Sequence, residues 1–231
     1  MSVSPIATMF DRISSKYDVL NHLLSLNIDK VWRRKTARAV AKHQPATILD
    51  LATGTADLAI ALAKSNPKAH IIGMDISEKM LEIGKRKVTK QKMDSRIELL
   101  IGDAASLPFE DNIFDAVTVA FGVRNFEDLD KGLSEIHRVL KPNGQVVILE
   151  FSMPERFPVK QLYHFYFKHL LPLIGGIVSK DRSAYSYLPA SVERFPKPSA
   201  FIEILAQIGL SNIQVKPLTF GIATLYTATK V

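Results

Sequence analysis

The 231-residue sequence contains no cysteine and one tryptophan, and no window reaches the ~18 consecutive apolar residues of a membrane-spanning helix. The first absence excludes disulfides, thiolate-ligated zinc or iron–sulfur centres and any cysteine nucleophile, and it agrees with a reducing compartment. The longest apolar stretch, Leu170 to Val178, is broken by Pro172 and Gly175-Gly176. The opening residues, MSVSPIATMF, lack a basic segment followed by an apolar one, so no cleaved leader is expected. Glycine is sparse, at 11 residues, and no G-x-G-x-x-G run follows a strand-like segment. That counts against a dinucleotide cofactor and hydride transfer. His22, His43, His70, His137, His164 and His169 show no metal-ligand spacing, since even the last two lie five apart on different helix faces. No metal is expected.

What is present describes one domain, 47% apolar and 23% charged, large enough to bury roughly 70–75% of its unfolded surface. Lys plus Arg exceed Asp plus Glu by 30 − 23 = 7, which favours an anionic partner such as nucleic acid, lipid headgroups or a phosphorylated ligand. The densest basic run, Lys85, Arg86, Lys87, Lys90 and Lys92, reads as a solvated helix face. Short apolar runs alternate with helical patterns. Ala46–Leu51, His70–Asp75, Ile97–Ile101, Phe114–Phe121 and Gln145–Phe151 read as strands, several covered on both faces. Asp57–Lys64, Ser77–Val88 and Leu129–Lys141 read as helices, with Ser77 as an N-cap and Lys141-Pro142-Asn143-Gly144 as a stop. Two further strands near Ile213–Lys216 and Ala223–Thr229 close the chain as an antiparallel hairpin. The fold class is therefore α/β, a seven-stranded, mostly parallel sheet wrapped by helices. Within the single domain 1–231, residues 1–43 form a helical cap with Ile6, Met9, Phe10, Ile13 and Tyr17 on one face. Residues 44–152 form a cofactor-binding core, 153–200 an insertion over the substrate, and 201–231 the final helix and hairpin.

In such sheets ligands bind at the carboxyl ends of the strands, where strand order reverses. The first strand ends in Asp50-Leu51-Ala52-Thr53-Gly54-Thr55-Ala56-Asp57, whose threonine hydroxyls and amides suit a small polar ligand. The second ends in Asp75, 25 residues after Asp50, where a carboxylate can accept both hydroxyls of a ribose. The third ends in Gly102-Asp103-Ala104, able to hold the amine and ring nitrogen of an adenine. Three successive strands ending in short acidic turns resemble the pattern of the S-adenosylmethionine-dependent methyltransferases.

A closer resemblance runs along nearly the whole chain. Ser15-Lys16-Tyr17-Asp18, Trp32-Arg33, the Asp50–Asp57 turn, Leu107-Pro108-Phe109, Phe121-Gly122-Val123-Arg124-Asn125, Arg138-Val139-Leu140-Lys141-Pro142 and Tyr187-Leu188-Pro189 together resemble the ubiquinone/menaquinone biosynthesis C-methyltransferase family. The chain departs from that family's pattern at Ala56, where glycine is common; alanine in a first helical turn is expected to cost little. The resemblance implies the class I methyltransferase fold, S-adenosylmethionine as cofactor and a polyprenylated quinol as substrate, a naphthoquinol, a benzoquinol or both; the short chain without a targeting extension favours demethylmenaquinol. It implies Asp50, Thr53, Gly54, Thr55, Asp75, Ile76, Asp103, Ala104 and Ala120 as cofactor-binding residues. Arg124 and Asn125 follow the strand that ends beside the cofactor methyl, with Arg124 stabilising a phenolate and Asn125, Asp103 or Tyr17 completing the network. The plain alternative for Arg124 is a surface arginine paired with Glu127 or Asp128.

The segment Val159–Val178, with Leu162, Tyr163, Phe165, Tyr166, Phe167, Leu170 and Leu171 among Lys160, Lys168 and His169, reads either as an interfacial helix on a membrane or as core or homodimer packing. Ser179–Arg182 then leads into Tyr185-Ser186-Tyr187-Leu188-Pro189, read as a lid over the ring. The expected location is cytoplasmic, peripherally on the inner face of the cell membrane. Nucleic acid is not an expected partner, because the basic residues are scattered and neither a Pro-Pro-aromatic segment nor an RNA-binding module is present. A non-catalytic lipid-binding protein, or a methyltransferase acting on another phenol or a sterol, is the remaining alternative.

Overall fold

A computed structural model describes residues 4–166 and 182–231. The chain begins with α1 (Pro5–Leu24) and α2 (Ile28–Ala41) and continues through β1 (Thr47–Leu51), α3 (Asp57–Ser65), β2 (His70–Asp75), α4 (Glu78–Lys90) and β3 (Ile97–Ile101). After β4 (Phe114–Ala120) come a short 3₁₀ turn at Val123–Asn125, α5 (Leu129–Val139), β5 (Leu140–Phe151) and α6 (Val159–Phe165). The described chain resumes with α7 (Arg182–Arg194) and ends in α8 (Pro198–Gln207), β6 (Leu210–Leu218) and β7 (Ala223–Lys230).

The central strands β1, β4 and β5 are largely buried because helices cover both faces. Side chains alternate across a strand, so β1 sends Ile48 into the layer under α2 and α3, with Leu58, Leu62 and Val40. Leu49 and Leu51 face the other layer, with Leu133, Ile136 and Phe201 from α5 and α8. The sheet order is β3-β2-β1-β4-β5-β7-β6. β1 pairs in parallel with both β2 and β4, while β7 runs antiparallel to β5 and β6. Strand order thus reverses between β1 and β4, and the loops leaving them diverge to open a crevice. They start almost in contact: a Cβ on Gly122 would lie 2.4 Å from the Ala52 Cβ, so only glycine fits there.

Ser77 caps α4 as expected, its side chain accepting from the Met80 amide at 3.2 Å. Two expectations need correction. α5 ends at Val139, not Lys141, because Leu140 already pairs with Phe114. Lys141–Gly144 then bulge from the ladder before Gln145 pairs with Ala116, with Asn143 at φ +63°. Ala56 is not in a helical turn but occupies the N-cap position of α3 at φ +64°. A non-glycine residue there costs about 1 kcal/mol or more, so the alanine is not free. Its buried methyl fits against Gly84, where an added Cβ would come within 3.3 Å.

α1, α6 and α7 meet above the sheet in a third cluster around Ile13, Tyr163 and Val192. The aromatic segment is therefore split: Tyr163 is buried in this roof, whereas Leu162 and Phe165 on the same helix are exposed. Phe167, Lys168, His169, Leu170, Leu171 and the rest of the stretch to Val178, with Ser179–Asp181 of the expected lid, lie outside the described residues. Among the described residues no helix is long and apolar enough to cross a membrane. Of the basic run on α4, Lys85, Arg86, Lys90 and Lys92 are exposed, but Lys87 turns inward to Asp18 and Asp57.

Candidate active site

Two cavities adjoin at the switch point. The first is lined by Ala52 and Gly54 after β1, Asp75 and Ile76 after β2, Asp103 and Ala104 after β3, and Ala120 and Asn125 after β4. Gly54 sits at φ +56° with nothing within 4 Å of where a Cβ would be, so the backbone turns there and leaves the cleft in front of it open. Asp75 is fixed by two amides, accepting from Gly54 N at 2.8 Å and Ser77 N at 2.9 Å. Burial raises its pKa, with Asp11 adding to the effect, against those two amides. Met74 and Met80 supply the apolar wall. A carboxylate at the β2 end, an apolar slot and the Asp103-Ala104 turn fit an adenosine moiety by shape and by donor set.

The threonines behave differently from expectation. Thr53 Oγ1 donates to Asp50 Oδ2 at 2.7 Å, and Thr118 donates to Asp50 Oδ1 at 2.6 Å. Thr55 Oγ1 donates to Asp18 Oδ1 at 2.5 Å. These hydroxyls are thus spent inside the protein. Asp50, Thr53 and Thr55 line a small cavity behind the turn with Tyr17 and Arg33 rather than the main cleft. Burial drives Asp50 up to about 6, against the pull of both hydroxyls.

The second cavity is lined by Phe10, Ile13 and Tyr17 from α1, Trp32 and Arg33 from α2, and Phe121, Arg124, Phe151, Tyr163 and Tyr187. Phe10, Tyr17 and Phe121 line both cavities. Its floor is aromatic, with Phe121 stacked on Phe151 at 4.4 Å and Trp32 edge-on to Phe151. Arg124 is held beneath: Nη1 donates to Glu150 Oε1 at 2.8 Å and to the Phe121 carbonyl, and Nε donates to Ser191 Oγ at 3.2 Å. The guanidinium also lies 5.4 Å from the Phe151 ring centre. Among the described residues Nη2 has no hydrogen-bond partner. The surface-pair reading of Arg124 is overturned, since Glu127 accepts from Ser4 at 2.6 Å and Asp128 caps α5. Asn125 accepts from the Tyr187 hydroxyl at 2.9 Å, tying α7 to the β4 end. Burial raises the Tyr17 pKa, opposed by Arg33 and Arg124, so its hydroxyl stays protonated at neutral pH.

The structure brings Tyr17, Arg124 and Tyr187 to one chamber. Asp103 lines the first cavity, which Tyr17 shares, but not the chamber that holds Arg124 and Tyr187, and it accepts from Ala105 N, so Asp103 is not a member of the arginine network. Two residues of the chamber escaped the sequence reading. Glu150 is wholly buried inside an apolar strand, where a single acid reads as strand-end polarity. Asp29, four residues before Arg33, has the spacing of an exposed helix pair, yet it is buried and lines the chamber. Burial pushes Asp29 up, but the Ser25 hydroxyl, Arg33 and His22 outweigh it and hold the carboxyl below its ordinary value.

A parallel sheet closed by an antiparallel strand, with an acid after β2 beside a cleft at the switch point, is the architecture of the S-adenosylmethionine-dependent methyltransferases. A putative methyltransferase of this class from Methanococcus maripaludis superposes with a TM-score of 0.67 at 22% identity, covering 96% of this chain and 94% of that one. The chain belongs to the ubiE/COQ5 methyltransferase family, whose model matches residues 2–230. It is 50% identical over 225 residues to the demethylmenaquinone methyltransferase of Bacteroides fragilis, covering 97% of this chain and 92% of the relative. It is 47% identical over 226 residues to the ubiquinone/menaquinone biosynthesis C-methyltransferase UbiE of Geotalea daltonii, covering 97% and 96%.

Proposed function

We propose that this methyltransferase carries the methyl group of S-adenosylmethionine to a ring carbon of a reduced polyprenylated quinone precursor, demethylmenaquinol. The supporting observation is the junction at Tyr17 and Phe121, where the cleft beside Asp75 opens on an aromatic chamber lined by Arg33 and Arg124. The names of the Bacteroides and Geotalea relatives agree with it. Asp75 takes the ribose hydroxyls, Asp103 and Ala104 the adenine edge, and Ile76 its face, while Gly54 and Ala120 flank the methionine portion. Asp50, Thr53 and Thr55 set the shape of the turn from behind.

When bound, the cofactor supplies a sulfonium methyl that is already electrophilic, so the protein's task is to align a carbon nucleophile and exclude water. A quinone ring is electron-poor. The attacking form is the hydroquinol, whose ionised hydroxyl pushes charge onto the adjacent carbon; once that carbon has taken the methyl group, with S-adenosylhomocysteine as the leaving group, it gives up its own proton to water and the aromatic ring is restored. Arg124 keeps its proton at any working pH, and its uncommitted Nη2 holds the phenolate oxygen. Tyr17, protonated, donates a second hydrogen bond, and Asn125 with Tyr187 fixes the edge of the chamber. Residues 1–43 act as the cap and residues 153–200 as the substrate cover. The exposed Leu162 and Phe165 of α6 rest the protein on the inner face of the membrane. Quinone profiling of cells lacking this protein tests the reading: demethylmenaquinone accumulates and menaquinone disappears. An unchanged menaquinone pool refutes it.

A further inference from the structure

A third cavity continues from the aromatic chamber toward the surface. It is lined by Leu23 and Leu26 at the α1–α2 corner, Ile28 and Trp32 of α2, Val159 and Leu162 of α6, and Ile222 before β7. Ser25, Trp32, Tyr163, Tyr166 and Ile222 line both it and the chamber, so the two are continuous. Polarity changes along the path. The chamber is lined by Arg124, Arg33, Asp29, Asn21 and Tyr17, whereas among the described residues no charged side chain lines the outer groove. The two aliphatic hydroxyls in the outer part are already engaged. Ser25 donates to Asp29 Oδ1 at 2.7 Å, and Thr219 accepts from Trp32 Nε1 at 2.9 Å. The outer end is flanked by Leu23, Leu26 and Leu162, exposed by 51%, 78% and 67%.

We propose that this groove between the α1–α2 corner and α6 is a binding subsite for the isoprenoid tail of the substrate, orienting the ring so that its polar edge meets Arg124. The assignment rests on the quinol reading above. An amphipathic ligand fits the continuous cavity in one direction only, because the charged end would leave the tail among ions and the apolar end would leave the ring hydroxyls without partners. Trp32 marks the boundary between ring and tail. It is the sole tryptophan of the chain, and its fluorescence therefore reports on this junction alone.

The test uses soluble naphthoquinols without vesicles, one carrying a two-unit isoprenoid tail and one carrying none, so that bilayer partitioning plays no part. Leu162→Glu places a charge on the exposed lip, where the fold tolerates it, and Leu162→Met is the conservative control. The charge is expected to raise KM for the tailed quinol about tenfold or more, the worth of one buried leucine. KM for the tailless one stays within about twofold, and Leu162→Met restores wild-type values. Quenching of Trp32 by the oxidised quinones, measured without cofactor or turnover, should give the same tail-dependent loss of affinity. Equal KM values for wild type and Leu162→Glu on the tailed quinol, with unchanged Trp32 quenching, overturn the groove while leaving the substrate reading intact. If the wild type methylates neither quinol, the substrate reading itself falls and takes the groove with it.

Discussion

Arg124 reaches the substrate chamber with its charge already balanced by Glu150, and its contribution is therefore directional more than purely coulombic. The carboxylate, Ser191 and the Phe121 carbonyl fix one side of the fork and leave Nη2 for substrate. Arg124→Ala is expected to lower turnover about 100-fold or more, as loss of an oxyanion donor does, with cofactor affinity near normal. Arg124→Lys rescues poorly because a single ammonium cannot serve Glu150 and substrate together. Asp75→Ala shows the opposite split, weakening cofactor binding by about 1.5–3 kcal/mol with less effect on turnover at saturation. Calorimetric titration and steady-state kinetics of these variants check both halves, and the scheme fails if Arg124→Ala turns over normally or Asp75→Ala binds normally. At this scale the sequence showed residues that end strands: Asp75, Asp103, Arg124 and Asn125 all stand beside the two cavities. It could not show what consumes a side chain. Thr53 and Thr55 looked available to a ligand and are bonded to Asp50 and Asp18, while Glu150, the partner of Arg124, is hidden in QVVILEF.

Among the elements, the central strands were legible because they are short apolar runs covered on both faces, and β6 because buried and outward residues alternate along it. The α5–β5 boundary was not, since Lys-Pro-Asn-Gly reads as a helix stop although it is a bulge within a strand that has already begun. Ala56 was misplaced for a similar reason, because position in a turn, not residue type, sets φ. The apolar face of α1 was legible, and Phe10 and Tyr17 do line both cavities. Its polar attachments were not, as they join residues far apart in sequence. Ser4 bonds Glu127, Asp11 accepts from the Ser77 hydroxyl at 2.6 Å, and Asp18 meets Lys87 at 2.9 Å and Thr55. Ser4, Ile6, Phe10 and Tyr17 wall the cofactor cleft from this helix, so exchange of cofactor requires α1 to loosen. Asp18→Asn removes the ion pair with Lys87 and is expected to speed cofactor dissociation about 2- to 10-fold, in line with a partly buried charged hydrogen bond. Stopped-flow displacement measures the rate, and amide exchange in α1 should quicken in parallel. An unchanged dissociation rate would mean that α1 is not the gate.

Across the whole molecule, three cavities form one path from the switch point of the sheet to the surface, and polarity falls along it. Among the described residues, the excess of basic residues that the composition shows does not line that path's outer end, which is apolar. Net charge was therefore a poor guide to this path, whereas the strand-end turns lead to its inner end. Radiolabelled methyl transfer from S-adenosylmethionine to demethylmenaquinone, run with and without prior reduction of the quinone and followed by mapping of the labelled position, tests the account most directly. The prediction is label on a ring carbon, released with one equivalent of S-adenosylhomocysteine, and only when the quinone has been reduced. Label on oxygen, or equal incorporation into the oxidised quinone, would contradict it.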